Sequence, residues 1–488
     1  MRILLIEPES NYKAPNLGLL FLSNAISQSR HEALLLDFNG KPIDDPATRV
    51  MQLIDSHEIA IIGISVCDVN YQWSVDLIRQ LKKKRAITVV VGGPQVNSLK
   101  ESVLTDNAEI DYAFAGECEE SIVNFLDFIE AGGDGSGVPG LLYRNGKTIK
   151  QVNQNFISSL DELPFPDYSH LGIEHVSGYM LLTSRGCPYR CTFCCRNTGN
   201  VWRPRSLAEC IEEIRIAKEK LAIKSFRIID ASFNINEHRV IQFCQQAKES
   251  KNELPWMVSG IRADRLTEKS VAALKDAGCE MLAVGVESLD PVVFRRINKG
   301  ETIADIMRAI NLGHKYDIEV ACYMIHGLPG DSYERSISYA RKLQALRPSY
   351  VMYNHAIPFP GTELHNWVTR HGHFNADFSW LQTRDVEKVA FWTDDFTEEE
   401  RLKSFRIIQT ITHVINFSSE DPNELSALEA EIKEHDPEYL VYHLDFVKEN
   451  LNRKGNEKNY IKRFHQETDI GRRSDYTGCV NVKTHEMV

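Results

Sequence analysis

The chain has 488 residues, enough for two or three domains, and a hydrophobic content of 43% is sufficient to build their cores. Its 68 acidic against 56 basic side chains leave a net charge of -12, which provides no basic stripe to neutralise phosphates and argues against a nucleic-acid partner. No run of eighteen apolar residues suits a membrane span, and Met1-Arg2-Ile3-Leu4-Leu5-Ile6-Glu7-Pro8 is too short and too soon charged for a signal peptide, so a cytoplasmic protein is expected.

Five short apolar runs open the chain: Arg2 to Ile6, Ala33 to Asp37, Ile59 to Ser65, Thr88 to Gly92 and Ile110 to Ala115. Helical stretches separate them, so residues 1–145 are read as a doubly wound, five-stranded parallel sheet of the α/β class. Ligands of such sheets bind at the carboxyl ends of the strands. Small residues gather there: Ser65 after the third strand, Gly92-Gly93-Pro94 after the fourth and Gly116-Glu117 after the fifth. Glycines let a bulky ligand approach the backbone, although strand-to-helix turns use them for purely conformational reasons too.

Residues 146–178 form a linker, marked by Leu163-Pro164-Phe165-Pro166, whose prolines keep the chain extended. A strand at about Met180 to Ser184 then leads into Cys187-Pro188-Tyr189-Arg190-Cys191-Thr192-Phe193-Cys194. The spacing Cys-x3-Cys-x2-Cys is one ligand short of the usual four-Cys iron-sulfur site, which leaves one iron open. A structural zinc site is the bland alternative, but it wants four ligands and no second pair lies nearby. Cys195 is too close to Cys194 to share its iron, and Cys67, Cys118, Cys210, Cys244, Cys279, Cys322 and Cys479 read as reduced thiols.

Beyond the Cys loop, Ser206-Leu207-Ala208-Glu209 reads as a capping box opening a helix. Strand-like runs follow at Ser225 to Ile229, Trp256 to Ser259, Met281 to Val286, Ile318 to Ile325 and Tyr350 to Asn354, which makes six βα units within residues 179–395. A closed barrel would need eight. In barrels the chemistry lies at the carboxyl ends of the strands, where Asp230, Ser259, Arg262, Glu287, Ser288 and His326-Gly327-Leu328-Pro329-Gly330-Asp331 stand. Glu287 could instead cap the helix at Asp290-Pro291, Arg262 could pair with Asp264 on the surface, and His326 could be a core residue or a proton shuttle. Residues 396–488 open with a second capping box, Thr397 to Glu400. More helices are expected to about Leu451, then a polar tail in which Cys479 is incidental.

The Cys spacing, with the aromatic Phe193 before the third Cys, resembles the signature of the radical S-adenosylmethionine (SAM) superfamily. That resemblance implies a partial (β/α)6 barrel and a [4Fe-4S] cluster held by Cys187, Cys191 and Cys194. It also implies that SAM chelates the open iron and is cleaved to a 5′-deoxyadenosyl radical, with Phe193 near the adenine. Gly285-Val286-Glu287-Ser288 resembles the family element that contacts the ribose or methionine part of SAM, and Gly327-Leu328-Pro329-Gly330 the one that shapes the adenine site. Asp230, Ser259 and Arg262 are further candidates for SAM contact.

The leading sheet resembles the cobalamin-binding domain that begins many radical SAM enzymes: Pro15-Asn16-Leu17-Gly18 matches a Pro-x-x-Gly element and Val91-Gly92-Gly93-Pro94 the fourth-strand turn. Leu17, Gly18, Ser65, Gly92, Gly93, Gly116 and Glu117 are then the cobalamin candidates. One departure stands out. Related domains of the mutase type carry Asp-x-His-x-x-Gly after the first strand, whereas Glu7-Pro8-Glu9-Ser10-Asn11-Tyr12 has no His to ligate cobalt from below, and His57 reads as a helix-end residue.

Together these resemblances imply a cobalamin-dependent radical SAM methyltransferase that moves methyl from methylcobalamin to an unactivated carbon in a biosynthetic reaction. The alternative is a radical SAM enzyme of the same shape that cyclises, contracts or oxidises. A non-catalytic corrin or cluster sensor would not need a barrel. Methylthiolation would require a second Cys cluster, and the leading domain has only Cys67 and Cys118. The acidic charge favours a small-molecule or peptide substrate, and the chemistry requires an electron donor such as flavodoxin or ferredoxin.

Overall fold

A computed structural model of the chain describes residues 1–10, 14–39, 43–133, 135–176, 178–251, 254–378, 388–416, 470–472 and 479–483. Its first sheet is built on β1 (Arg2–Glu7), β2 (Glu32–Asp37), β3 (Ile61–Ser65), β4 (Thr88–Gly92) and β5 (Tyr112–Phe114), parallel and in the order β2-β1-β3-β4-β5. Because successive side chains of a strand point to opposite faces, an apolar run feeds two cores. Ile3, Leu5, Leu35, Ile61 and Val90 pack toward the helices Leu17–Ser27 and Glu119–Glu130. Leu4, Ile6, Leu34, Ile62 and Val91 pack toward the helices Pro46–His57 and Tyr71–Lys84.

Three antiparallel strands extend this sheet beyond the five expected. β6 (Leu141–Asn145) and β7 (Thr148–Gln151) form a hairpin on β5, so the segment read as the start of the linker still belongs to the sheet. The chain then crosses through β8 (Ile173–Val176) to β9 (Gly178–Leu181). A short antiparallel pair, β10 (Ser184–Arg185) and β11 (Arg203–Pro204), brackets the Cys loop. β12 (Ser225–Ile228), β13 (Trp256–Ile261), β14 (Cys279–Glu287), β15 (Glu319–His326) and β16 (Tyr350–His355) follow. With β9 they form one six-stranded parallel sheet in sequential order, the partial (β/α)6 barrel. Met257, Met281, Ala283 and Ala321 share one face of it, while Val258, Leu282, Val284 and Cys322 pack on the helices outside.

Two small strands, β17 (His373–Phe374) and β18 (Phe391–Trp392), precede the helix Glu398–Asn416. β19 (Ile470–Arg472) pairs with β8, and β20 (Cys479–Asn481) pairs antiparallel with β2. Cys479 is a fully buried thiol, as expected, and it stands in a strand and not in a loose tail. Its strand covers the open edge of β2, which would otherwise present unpaired backbone groups. The helices expected between 417 and 451, and most of the polar tail, lie outside the described residues. Among the described residues, no helix is long and apolar enough to cross a membrane.

The capping box expected at Ser206 forms only in half. Ser206 Oγ accepts from the Glu209 amide at 3.3 Å, but the Ser206 amide donates to both carboxylate oxygens of Asp161, at 2.9 and 3.0 Å, and not to Glu209. The linker thus caps the first barrel helix, Leu207–Leu221. Ser206→Ala and Asp161→Ala should each lower stability by about 1 kcal/mol, while Glu209→Ala should be nearly neutral, read as shifts of the denaturation midpoint. At Thr397 both halves of the box are present.

Candidate active site

The Cys loop is held in shape by its backbone before any metal is considered. Cys187 N donates to Gly199 O at 3.2 Å, Thr192 N to Ile297 O at 3.0 Å and Cys194 N to Cys191 O at 3.2 Å, while Thr192 O accepts from Leu364 N at 2.9 Å. Gly186, at φ 84°, sits where a Cβ would lie 2.0 Å from Val201 O, so only glycine allows the chain to turn into the loop there. Cys187 and Cys191 are half-buried and Cys194 is exposed, with Phe193 packed between loop and core. Burial pushes the Cys191 thiol up to about 11. Binding of a metal through these sulfurs would therefore release protons. Cys195 faces away, its Sγ 3.7 Å from Ser98 Oγ.

Beside the loop lies a buried charged network that joins two residues expected from the sequence, Arg262 and Glu287, to two that were not, Lys299 and Glu301. Arg262 stacks on Tyr189, with its guanidinium carbon 3.4 Å from the ring centroid. Arg262 Nε donates to Asp264 at 2.9 Å and Nη1 to Lys299 O at 3.0 Å, and the guanidinium pairs with Glu301 at 3.5 Å. Lys299 pairs with Glu287 at 3.4 Å and with Glu301 at 3.3 Å, and donates to Gly285 O. Burial pushes both glutamates up, and Lys299 opposes the shift in each. Glu287 adopts φ 63° where the β14–β15 register slips, a left-handed conformation costly for a residue with a side chain. It does not cap the next helix, since Asp290 Oδ1 accepts from Val292 N and Val293 N. Arg262 Nη2 is buried without a hydrogen-bond partner, an orphaned donor suited to a carboxylate such as that of the methionine part of SAM.

The remaining strand-end candidates are engaged within the protein. Asp230 accepts from Thr183 N at 2.7 Å, Thr183 Oγ1 at 2.5 Å and Ser184 Oγ at 2.6 Å, which fixes the chain just ahead of the Cys loop. Ser259 Oγ accepts from Arg227 at 2.6 Å. Gly327, at φ 82°, donates to Asp331 at 2.9 Å and accepts from Arg401 at 3.0 Å. Burial pushes Asp331 up to about 6. His326 is a core residue: fully buried, it lies 3.3 Å from His355 and 2.9 Å from Ser404, among Phe396 and Phe405, and burial holds its pKa well below the ordinary value.

A largely apolar cavity of about 420 Å³ lies between the carboxyl ends of the first sheet and the barrel. Leu17, Gly18, Ser65, Gly92, Gly93, Gly116 and Glu117 all line it; Ser184, Arg185, Asn197, Thr198, Ile229 and Ala231 close it from the barrel side. The rim is shaped by backbone. Gly93, at φ 107°, would place a Cβ 2.6 Å from Val66 O, and Gly116, at φ 85°, would place one 2.7 Å from Gln154. Asn16 caps the helix Leu17–Ser27 and donates to Ser65 at 3.1 Å. These glycines form a cradle that fits the close approach of a large flat ligand such as a corrin. Among the described residues lining it there is no His. Glu117 is less available than its position suggests: Arg203 grips it from two nitrogens at 2.7 and 2.8 Å, and Ile157 N donates to it at 2.9 Å. Burial pushes its pKa up, but these partners and Arg185 outweigh that and hold it below the ordinary carboxylate range.

Tyr189 and Arg185 stood in or beside a motif already visible in the sequence; Lys299, Glu301 and Arg203 carried no local signal, because only the tertiary fold buries them.

Residues 181–342 match the family model of the Radical SAM superfamily, and residues 4–126 match that of the B12 binding domain. An uncharacterized methyltransferase of Pyrococcus horikoshii is 27% identical over 427 residues, which cover 83% of this chain and 91% of that protein. The anaerobic magnesium-protoporphyrin IX monomethyl ester cyclase of Synechocystis sp. is 23% identical over 340 residues, 65% of this chain and 67% of that one. The solved radical SAM methyltransferase TsrM of Kitasatospora setae, with cobalamin and a [4Fe-4S] cluster bound, superposes with a TM-score of 0.66 at 18% identity over 78% of this chain and 81% of that chain. At such identity the likeness is one of fold.

Proposed function

We propose that this chain, a radical SAM enzyme with an N-terminal B12-binding domain, transfers a methyl group to an unactivated carbon of a small-molecule or peptide substrate. When bound, the cluster and SAM supply a radical that removes a substrate hydrogen, and cobalamin supplies the methyl group. Cys187, Cys191 and Cys194 hold the cluster. Arg262 offers its free Nη2 to the SAM carboxylate, while Glu287 and the backbone at Gly327 stand on neighbouring strand ends. Phe193 packs beside the adenine. Asp230 and Ser259 act through Thr183, Ser184 and Arg227, orienting the strand ends from behind. Leu17, Gly18, Ser65, Gly92, Gly93 and Gly116 would cradle the corrin, and among the described residues that line the cavity none is a His that could ligate cobalt.

The observation that carries this reading is the shared cavity. Its walls come from the strand ends of the first sheet and from Ser184 and Arg185, which shortly precede the Cys loop, so the sequence that carries the cluster candidates starts from the wall of the corrin cradle. An apolar lining excludes water from the reacting carbon. Reduction by a low-potential donor of the flavodoxin or ferredoxin class completes the requirements.

The test is to purify the protein anaerobically with cobalamin, reduce it with SAM and a candidate substrate, and quantify S-adenosylhomocysteine and 5′-deoxyadenosine. Both should form. Deoxyadenosine alone would overturn methylation in favour of a cyclase-like reaction, a second reading supported by the similarity to the Synechocystis cyclase.

A further inference from the structure

The Cys loop is gripped at both ends by the domain that precedes it. On the leading side, Arg185 stands two residues before Cys187, and its buried guanidinium meets Glu119 at 2.7 Å and Glu117 at 3.4 Å. Arg203 lies opposite Arg185 in the β10–β11 pair, so the two side chains share a face, and Arg203 takes Glu117 with two nitrogens. Two cations placed this close are tolerable only because two carboxylates from the leading domain lie between them. On the trailing side, Cys195 Sγ meets Ser98 Oγ, which sits on the helix Pro94–Leu99 that starts from Gly93.

Glu117 belongs to the loop after β5 and Glu119 opens the helix Glu119–Glu130 that follows it, while Ser98 belongs to the segment after β4. Both segments line the cavity, and the Gly116 amide ties them together by donating to Asn97 Oδ1 at 2.6 Å. Any ligand that seats on Gly93 and Gly116 therefore presses on elements bonded to the two ends of the Cys loop. Buried, doubly bonded ion pairs transmit such a shift instead of absorbing it, because parting them strands a charge away from water.

We propose that Glu117, Glu119 and Ser98 are positioning residues through which occupancy of the N-terminal cavity sets the geometry of the cluster loop. The proposal rests on the cobalamin reading above. Filling the cavity orders residues 186–195, and an empty cavity leaves them looser, so the radical source is fully shaped only when the second cofactor is in place.

Hydrogen exchange of the full-length, cluster-loaded protein, read by mass spectrometry with and without cobalamin, tests this. In the wild type, cobalamin should slow exchange across residues 186–195 by about tenfold, within the usual range of coupling between sites. In Glu119→Gln, an isosteric change that removes only the charge, and in Glu117→Gln/Glu119→Gln, the visible spectrum should still report bound corrin while the slowing shrinks or vanishes. Ser98→Ala, which leaves the ion pairs intact, should lose it only near Cys194 and Cys195. Should the double variant fail to fold, the single changes carry the test. Equal exchange with and without corrin in the wild type, or full slowing in Glu119→Gln, overturns the proposal. A wild-type chain that retains no corrin after gel filtration overturns the cofactor reading itself, a separate failure.

Discussion

Cys191→Ala should give a folded chain that assembles no stable cluster and cleaves no SAM. The fold survives because the loop is pinned by backbone bonds that do not involve the thiols, from Cys187 N to Gly199 O and from Thr192 N to Ile297 O. The cluster does not survive, because three thiolates already leave one iron open and a second vacancy deprives the cluster of a protein anchor. Removing a residue that hydrogen-bonds to a metal ligand typically costs about 10- to 100-fold, so loss of a ligand itself should lower activity by more than about a hundredfold. Iron and sulfide analysis of the anaerobically reconstituted protein checks this. Cys195→Ala is the control and should load normally, since that sulfur faces Ser98. A Cys191→Ala chain with a full complement of iron and sulfide would refute the ligand assignment.

Gly93→Ala should cost the chain its corrin and much of its stability. At φ 107° and ψ -176° the position is open essentially only to glycine, and the added Cβ would lie 2.6 Å from Val66 O and 3.1 Å from Val66 N. Both obstacles are backbone atoms of the strand end next door and cannot rotate away. Strain and overpacking together should cost about 3–5 kcal/mol and tilt the rim of the cavity. Gly146→Ala separates the two effects. There φ is also positive, at 62°, but a Cβ meets nothing within 4 Å, so only about 1–2 kcal/mol should be lost and corrin retained. Thermal midpoints and the corrin absorbance after gel filtration provide the two readouts.

What the sequence revealed was what is local. The apolar runs that became β1 to β5 and β12 to β16 were visible because a strand buried on both faces must be apolar along its length. The glycines of the cavity rim were visible because strand-end turns select them by backbone conformation. Partners distant in the chain were not visible. Asp161 capping Ser206, Arg203 holding Glu117 and Lys299 wedged between Glu287 and Glu301 are polar residues that any surface would accept; only the packed fold turns them into buried pairs. For the same reason Asp230 and Ser259 read as open strand-end groups, although each is occupied by neighbours from an adjoining strand. His326 sits in a pattern shared by core and catalytic histidines, and its enclosure comes from Phe396 and from Ser404 and Phe405 of the helix Glu398–Asn416, some seventy or more residues away.

The strand Cys479–Asn481, laid against β2, fixes an order of events in synthesis. β2 leaves the ribosome early, yet its outer partner follows only after roughly 440 further residues, a delay of roughly 20 to 90 s at ordinary rates of translation. Throughout that interval the nascent leading domain shows a bare strand edge, so its first sheet stays open while the whole barrel is being made. A premature stop anywhere in the barrel yields a chain whose β2 edge is never covered by this strand, the kind of bare edge that invites pairing with another chain.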